Sequence, residues 1–303
     1  MINYRNDLIF QCARVRGADH GDTSEGGPEP AASGGGGSPH RSRQGKTGGT
    51  GRKQKVTERP VEIPELSPGQ MDWMVSVFGP YRRIVQPKLY GIENLPADGS
   101  LLAANHTIYG VLDAPIMITE IWRVRRIAAR GLGAHGHYAL PVWREFLTAG
   151  GMVRGTRDNV RALMRDRQTI LVYPGGAREV NKHRGQQYQL QWRERMGFAQ
   201  LAIEHGYPVI PVASVGADDM LDVIIDQDTP VYGEFACLYE KFIGFPTLPV
   251  AVGVGGTPIP RPERLYFWFG EPIDATRFGS SADDHAAAQA LHEEVKQAVV
   301  MGI

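Results

Sequence analysis

The residues best suited to acid–base chemistry lie at the end of a short apolar run. Asn105 and His106 directly follow Leu101–Ala104, and six residues separate His106 from Asp113. A carboxylate that holds one ring nitrogen of a histidine leaves the other nitrogen to act as a general base near neutral pH. His106 and Asp113 are therefore the candidate catalytic pair, able to take the proton of an alcohol as its oxygen attacks a carbonyl.

A glycine-rich turn follows a second apolar run, which ends at Tyr173. Glycines let the backbone approach a ligand closely, and the backbone N–H groups of such a turn can hold an oxyanion or a phosphate. These N–H groups belong to Gly175, Gly176 and Ala177. Arg178 in the same turn, and Arg157 at the end of a segment rich in glycine and arginine, add bidentate donors for phosphate oxygens.

Apolar runs that suit strands alternate along the chain with helical patterns, and strands separated by helices imply βαβ units. The sequence therefore predicts an α/β fold: a single domain over residues 61–303, with a mostly parallel or mixed central sheet flanked by helices. The predicted strands are Leu101–Ala104, Arg126–Ala129, Gly151–Val153, Thr169–Tyr173, Pro208–Val212 and Leu265–Phe269. Because neighbouring strand ends form the ligand site in such sheets, His106 and the glycine-rich turn should meet at one edge.

The predicted helices rest on apolar spacing and on capping residues. The first is amphipathic over Met71–Tyr81 and is expected to kink or break at Gly79-Pro80, because proline removes a helical hydrogen bond. Asp158 is the expected cap of a helix that runs through Met164. The remaining helices are predicted over Ala114–Trp122, after Pro141, over Trp192–His205 and over Ser281–Val300.

The first sixty residues have a different composition. From Gly17 onwards they are rich in glycine, serine, proline and charge, and such a stretch cannot bury enough apolar area to fold. Residues 1–60 are therefore predicted to form a disordered low-complexity tail. The start of the chain lacks the long apolar core of a signal peptide, and no run reaches the roughly 18–20 apolar residues of a transmembrane helix. Lys and Arg total 33 against 33 Asp and Glu, which argues against a nucleic-acid partner.

Aromatic residues in two segments suggest contact with lipid. Trp73 and Phe78 suit a helix that lies in a lipid interface, although the same helix could simply pack on the sheet. Phe242 and Phe245 belong to an apolar stretch, Phe242–Pro262, that glycines and prolines interrupt. It is either a buried connection, which we favour, or a rim over an acyl-chain tunnel. His135 and His137 lack nearby Cys or carboxylate partners in sequence, so no metal site is predicted.

The three chemical segments, in this order, resemble the lysophospholipid and glycerol-phosphate acyltransferase superfamily. The resemblance extends from about Leu89 to Ile273 and includes four motifs. The matching residues are His106 and Asp113 in the first motif, Arg157 in the second, Pro174, Gly176 and Arg178 in the third, and Val209–Val212 in the fourth.

Two departures from the family pattern are visible. Six residues, not four, separate His106 from Asp113, and Gly175 stands where the family motif has glutamate, with Glu179 following Arg178 instead. The Pro-Gly-Gly-Ala-Arg-Glu segment looks more like the branch that contains diacylglycerol-type acyltransferases and their bacterial relatives. In that branch the acceptor can be a neutral glyceride or another alcohol.

The resemblance implies an O-acyltransferase that moves a fatty acyl group from acyl-CoA to a hydroxyl of a glycerolipid-like acceptor, namely a lysophospholipid, glycerol phosphate or a neutral glyceride. His106 would be the general base. Acyl-CoA would be a co-substrate, with no resident cofactor, and the enzyme would bind peripherally to the cytoplasmic face of a membrane. Two alternatives remain open at this stage: an acyl-CoA thioesterase, and a non-catalytic lipid-binding protein on the same scaffold.

Overall fold

The computed structural model describes residues 63–134, 138, 141–243, 247–279 and 281–303. The predicted tail, His135, His137 and Phe245 lie outside this part of the chain. The strands are β1 Lys88–Tyr90, β2 Leu101–Ala104, β3 Ala129–Gly133, β4 Val153–Arg154, β5 Thr169–Val172, β6 Val209–Val215, β7 Asp222–Ile225, β8 Val250–Val252 and β9 Tyr266–Phe269. The α-helices are α1 Pro68–Val85, α2 Ala114–Arg125, α3 Pro141–Ala149, α4 Arg157–Arg165, α5 Ala177–Val180, α6 Gly197–His205, α7 Pro230–Ile243 and α8 His285–Gly302. Short 3₁₀ turns occur at Ile92–Asn94, Ile108–Gly110, Ala217–Asp219, Val254–Gly256 and Ala275–Phe278.

A seven-stranded sheet of order β1-β9-β6-β2-β5-β3-β4 lies at the centre, flanked by helices. Neighbouring strands are parallel except for the antiparallel pair β6 and β9. This mixed sheet confirms the predicted fold class. Leu101 of β2 pairs with Ile170 of β5 on one side and with Val209 of β6 on the other. The carboxyl ends of β5, β2 and β6 therefore reach the same edge of the sheet side by side.

Both faces of the central strands are buried, which explains why β2 is apolar without interruption. Alternate residues of β2 pack into two separate hydrophobic cores, one on each face of the sheet. Leu102 and Ala104 face the core formed with α1, α2, β7 and β8. Leu101 and Ala103 face the core formed with α4, α6 and α8. A strand held by two cores positions the residue that follows it firmly.

The first helix continues past the predicted interruption. Ser67 and Gln70 form a capping box at its start, and α1 then runs to Val85 with Pro80 inside it. Of the two predicted outcomes at Gly79-Pro80, the break does not occur, and a kink stays a prediction. Pro80 is exposed, whereas Met71, Met74 and Val85 are buried on the same helix, so packing outweighs the hydrogen bond that proline removes.

Three predicted boundaries were also wrong, each for a local backbone reason. Arg126 closes α2 in a left-handed conformation, φ 56°, so β3 begins only at Ala129. Thr156, not Asp158, caps α4 by accepting the N–H of Asn159. Arg193, with φ 47°, ends any helical path from Trp192, so α6 begins at Gly197.

The stretch Phe242–Pro262 includes the end of α7 and the strand β8, which pairs with β7 in a small antiparallel sheet. Neither α7 nor this second sheet was predicted. The expectation that the stretch is buried is wrong for several of its apolar side chains, which are exposed: Phe242, Leu248, Val250, Val254 and Ile259. In the described ranges, no helix combines the length and apolar character that crossing a bilayer requires.

Candidate active site

The site begins where β2 ends, at Asn105 and His106. The Asn105 side chain donates to the carbonyl of Ser214 at 2.9 Å and accepts the N–H of Ser214 at 2.7 Å. These two bonds join the end of β2 to the end of β6 in the buried interior. The residue that follows, His106, therefore leaves the sheet from a fixed point.

The imidazole of His106 lies against an aromatic ring and a glycine. The Tyr173 ring, at the end of β5, stacks on it with centroids 3.9 Å apart and planes inclined by 11°. Gly110 also packs closely against the imidazole, because a Cβ there would lie 2.2 Å from Cε1 of His106. His106 is partly exposed at this edge, so the ring is held in plane while part of the residue remains open to solvent.

Asp113 is fully buried and begins α2. Its Oδ1 accepts the Thr107 hydroxyl at 2.8 Å and the N–H of Ala114 at 2.9 Å, while Oδ2 accepts the Ser214 hydroxyl at 2.5 Å. Burial raises the pKa of this carboxyl, although the two hydroxyl donors act in the opposite direction. Asp113 thus fixes the turn that follows His106, and its direct orientation of the imidazole stays a prediction.

Glu179, in α5, also belongs to the site, although the sequence analysis noted it only as a departure from the motif. It is fully buried, and its Oε2 accepts the backbone N–H of His106 at 2.9 Å. Its Oε1 accepts the N–H of Gln191 at 3.0 Å. An acidic residue just after a glycine turn was the available signal, but the sequence does not show that its carboxylate reaches the neighbouring strand end.

A buried ion pair holds the same loop from the other side. Asp218, just after β6, accepts the N–H of Ile108 at 2.8 Å through Oδ1, and its Oδ2 accepts from Lys182 and from the Tyr188 N–H. The side chains of Lys182 and Asp218 are 3% and 1% exposed. The sequence pattern did not indicate that Lys182 and Asp218 form a pair.

The glycine-rich turn lies beside His106, as predicted. The Gly176 N–H donates to the Tyr173 carbonyl at 3.0 Å and closes the turn, and Gly176 adopts φ 55°. The Gly175 carbonyl accepts from Arg195 at 2.9 Å. The Gly176 N–H is already used by this hydrogen bond within the turn. Stabilisation of an oxyanion by the N–H groups of Gly175 and Ala177 stays a prediction.

The two candidate phosphate-binding arginines lie in different places. Arg178 follows the turn directly, within α5 and partly buried. Arg157 begins α4 and donates to the Gln200 side chain of α6. Its strand, β4, is three positions from β2 in the sheet, which corresponds to about 14 Å. Arg178 is therefore placed at the centre of the site and Arg157 at its periphery.

One group of side chains has a composition that could hold a metal ion. Ligand atoms of His183, Asp226 and Asp228 lie within 4.8 Å of one another. They are already linked, because His183 Nδ1 lies 2.6 Å from Asp228 Oδ2 and Asp226 accepts the Arg184 N–H at 3.0 Å. These hydrogen bonds connect the segment around His183 to the segment around Asp226, so a structural role explains why the three side chains lie together.

The aromatic residues assigned to a lipid rim have different exposures. Trp73 is 51% exposed on α1 and Phe242 is 76% exposed on α7. Phe78 instead packs against the core. The structure therefore brings His106, Asp113, Gly175, Gly176, Ala177 and Arg178 together at one edge, with Trp73 and Phe242 on the surface.

The fold thus places an imidazole, buried carboxylates and a glycine-rich turn at the carboxyl edge of an α/β sheet. This arrangement is typical of a group-transfer enzyme. The family model described as Acyltransferase matches residues 86–215, from just before β1 to the end of β6. Residues 86–215 therefore belong to the acyltransferase family, which confirms the resemblance seen in the sequence. The matched stretch contains His106, Asp113 and the glycine-rich turn.

Similar proteins include phytyl ester synthase 2 of Arabidopsis thaliana, 28% identical over 229 residues, covering 69% of this chain and 32% of that protein. The human DGAT1/2-independent enzyme synthesizing storage lipids is 26% identical over 212 residues, covering 70% and 59%. The chain thus spans about a third and about three fifths of these relatives. The 1-acyl-sn-glycerophosphate acyltransferase structure from Thermotoga maritima is 16% identical, covers 77% of both chains and gives a TM-score of 0.47.

Proposed function

We propose that this acyltransferase moves a fatty acyl group from acyl-CoA to a hydroxyl of a glycerolipid-like acceptor, with His106 as general base. The observation that carries the proposal is the placement of His106. It lies at the carboxyl edge of the sheet, against Tyr173 and Gly110 and next to the glycine-rich turn. A base held in one orientation beside backbone donors is what acyl transfer to an alcohol needs.

In the proposed reaction His106 takes the proton of the acceptor hydroxyl while its oxygen attacks the thioester carbonyl. The N–H groups of Gly175 and Ala177 stabilise the negative charge that develops on the carbonyl oxygen, an effect worth about 3 kcal/mol per donor. The tetrahedral intermediate then collapses, the C–S bond breaks, and the thiolate leaves with the proton that His106 held. Arg178, and Arg157 farther out, anchor phosphate groups of the donor or the acceptor.

The acceptor class follows from two supports. The first is the family membership of residues 86–215. The second is that one relative is named as a synthase of phytyl esters and another as an enzyme synthesizing storage lipids, and an ester requires a hydroxyl acceptor. A lysophospholipid, glycerol phosphate and a neutral glyceride all present such a hydroxyl.

The purified protein should release thiol from a long-chain acyl-CoA only when an acceptor is present, and radiolabelled acyl groups should appear in a lipid ester. Lysophosphatidic acid, monoacylglycerol and diacylglycerol serve as the acceptors, and thin-layer chromatography separates the products. Equal thiol release without acceptor would establish a thioesterase instead. Acyl-chain binding without turnover of any thioester would establish a lipid-binding protein.

We also propose that the enzyme works at a membrane surface, because its substrates reside there. The outward face of α7 supports this, since apolar side chains spaced three or four residues apart lie exposed on one side of the helix: Val231, Phe235, Leu238, Tyr239 and Phe242. A face of this kind lies in the interface of a bilayer with its apolar side buried. The Tyr109 hydroxyl, which accepts the Ala251 N–H at 3.1 Å, joins this part of the fold to the loop after His106.

Changing both Phe235 and Phe242 to Ser should lower binding to phosphatidylcholine–phosphatidylglycerol vesicles at least tenfold in co-sedimentation, because two aromatic anchors are lost from the apolar face. Val300→Ser, at a comparably exposed apolar position on α8, is the matched control and should bind like the parent protein. Equal vesicle binding by the double variant and the control would show that α7 is not the docking face.

A further inference from the structure

We propose that Glu179 is a positioning residue for His106: its ionised carboxylate fixes the backbone of the base by accepting its N–H. The inference rests on the proposed function, in which His106 removes the proton. Glu179 is fully buried and contacts the backbone of His106, so it acts through His106 and is not itself the proton-transfer group.

The contact crosses from one strand end to the next. Glu179 follows β5 and His106 follows β2, and these strands are parallel neighbours. Oε2 of Glu179 accepts the His106 N–H at 2.9 Å, and Oε1 accepts the Gln191 N–H at 3.0 Å. Each carboxylate oxygen thus receives a backbone donor, and the two bonds set the distance between the base and the glycine-rich turn.

The glycine-rich turn is shaped around this carboxylate. A Cβ at Gly175 would lie 2.2 Å from Cδ of Glu179, so any side chain at position 175 would displace the carboxyl. Gly175 stands where the family motif has glutamate. The structure gives the reason in this chain, because the carboxyl group of Glu179 occupies the space beside that position.

Burial makes the ionised state of Glu179 sensitive to pH. The pKa of its carboxyl is raised to about 7, chiefly by burial and also by Asp218, although the N–H donors of Gln191 and His106 and the charge of Lys182 lower it. Tyr173 also faces this carboxyl, and Glu179 helps to raise its pKa. Arg195 contacts the adjacent carbonyl of Gly175.

Protonation would weaken one of the two acceptor oxygens. A neutral carboxyl turns one oxygen into a hydroxyl, which is a donor and a much weaker acceptor, so the His106 or the Gln191 bond is weakened. A buried N–H without its acceptor is costly, and the loop that carries the base would shift. Glutamine at position 179 imitates this protonated state at every pH.

In the Glu179→Gln variant, kcat at pH 8 should fall about 10- to 100-fold with KM within about twofold, because a base displaced by about 1 Å loses rate rather than binding. In a plot of log kcat against pH, the acid limb of the parent should have a limiting slope of about two, because His106 and Glu179 must both be deprotonated. In Glu179→Gln the slope should be about one. Glu179→Asp keeps the charge but shortens the side chain by one methylene group. Its kcat should therefore fall, while its acid limb keeps the limiting slope of about two. The control is Glu204→Gln. Glu204 lies in α6 and its carboxylate pairs with Arg161 of α4, so this variant should retain the parent kcat and pH profile.

Hydrogen exchange tests the same contact without any turnover. The peptide spanning residues 105–110 should exchange at least tenfold faster in Glu179→Gln than in Glu204→Gln at equal pH. In the parent protein its protection should fall between pH 8 and pH 6, after correction for intrinsic exchange, relative to a β9 peptide.

Equal protection of the peptide spanning residues 105–110 in Glu179→Gln and Glu204→Gln would overturn the proposal. So would a Glu179→Gln variant with the parent pH profile and kcat, whatever its melting temperature. If the parent protein transfers no acyl group at all, the proposed function fails, whereas the exchange experiment still decides the role of Glu179.

Discussion

The His106→Ala variant should lose acyl transfer at least about 100-fold, since a positioned general base contributes about 10²- to 10⁴-fold. The imidazole is the proton acceptor in the proposed reaction, and it lies at the edge where the ends of β5, β2 and β6 meet. Removing it leaves Asn105, Glu179 and Asp218 in place to hold the loop backbone. Activity should therefore fall much more than stability.

The measurement is the rate of labelled ester formation at saturating acyl-CoA and acceptor, together with the melting temperature. His285→Ala, at an exposed position that begins α8, is the matched control and should keep the parent rate. A His106→Ala variant that transfers acyl groups at the parent rate would exclude His106 as the base. A variant that melts many degrees lower calls for His106→Gln, which retains a polar side chain of similar length.

The Lys182→Met variant should lower the free energy of unfolding by about 3–5 kcal/mol, because it leaves the Asp218 carboxylate buried without its cation. Both side chains of the pair are almost fully buried. Asp218 also holds the N–H groups of Ile108 and Tyr188. The loss of Lys182 should therefore loosen the loop after His106 and reduce acyl transfer as well.

Urea unfolding followed by circular dichroism measures this loss, with the slope of the transition checked for constancy. Lys296→Met is the matched control, because Lys296 pairs with Glu293 at 3.6 Å on the surface of α8. Surface pairs of this kind contribute about 0–1 kcal/mol. If both variants unfold at the same urea concentration, the buried pair does not stabilise the fold as proposed.

Together these residues describe a loop held from both neighbouring strand ends. Glu179 accepts the His106 N–H from the β5 side, and Asp218 accepts the Ile108 N–H from the β6 side. Between them the Thr107 hydroxyl donates to Asp113. Four successive residues from Asn105 to Ile108 are thus anchored, which explains how a residue that follows a strand can keep a defined orientation.

The sequence pattern predicted the sheet and the edge of the site well. Uninterrupted apolar runs such as Leu101–Ala104 indicate strands that are buried on both faces, and their alternation with helical patterns indicated the α/β fold. Residues just after such strands belong to one edge, so the sequence predicted the same edge for His106 and the glycine-rich turn, and the pairing of β2 with β5 makes them neighbours. Element boundaries were less certain, because single residues such as Arg126 and Arg193 adopt left-handed backbone conformations that no spacing reveals.

The partners of the site residues could not be read from the chain. Glu179 and His106 are 73 positions apart, as are many residue pairs that never meet, yet they share a hydrogen bond. The stacking of Tyr173 on His106 likewise depends on the parallel pairing of β2 and β5. The α7 helix, Pro230–Ile243, was missed because the sequence analysis assigned no element to the residues before Phe242.

The amino-acid sequence by itself determined the fold class, the family and the residue types at the edge of the sheet, because these depend on periodicity and on short motifs. Only the tertiary structure decided which carboxylate serves which group. Asp113 accepts hydrogen bonds from two hydroxyls, Asp218 pairs with Lys182, and Glu179 accepts the backbone N–H of His106. The physical reason is that burial forces each charged or polar group to find a partner, and the strand order decides which partners lie within reach.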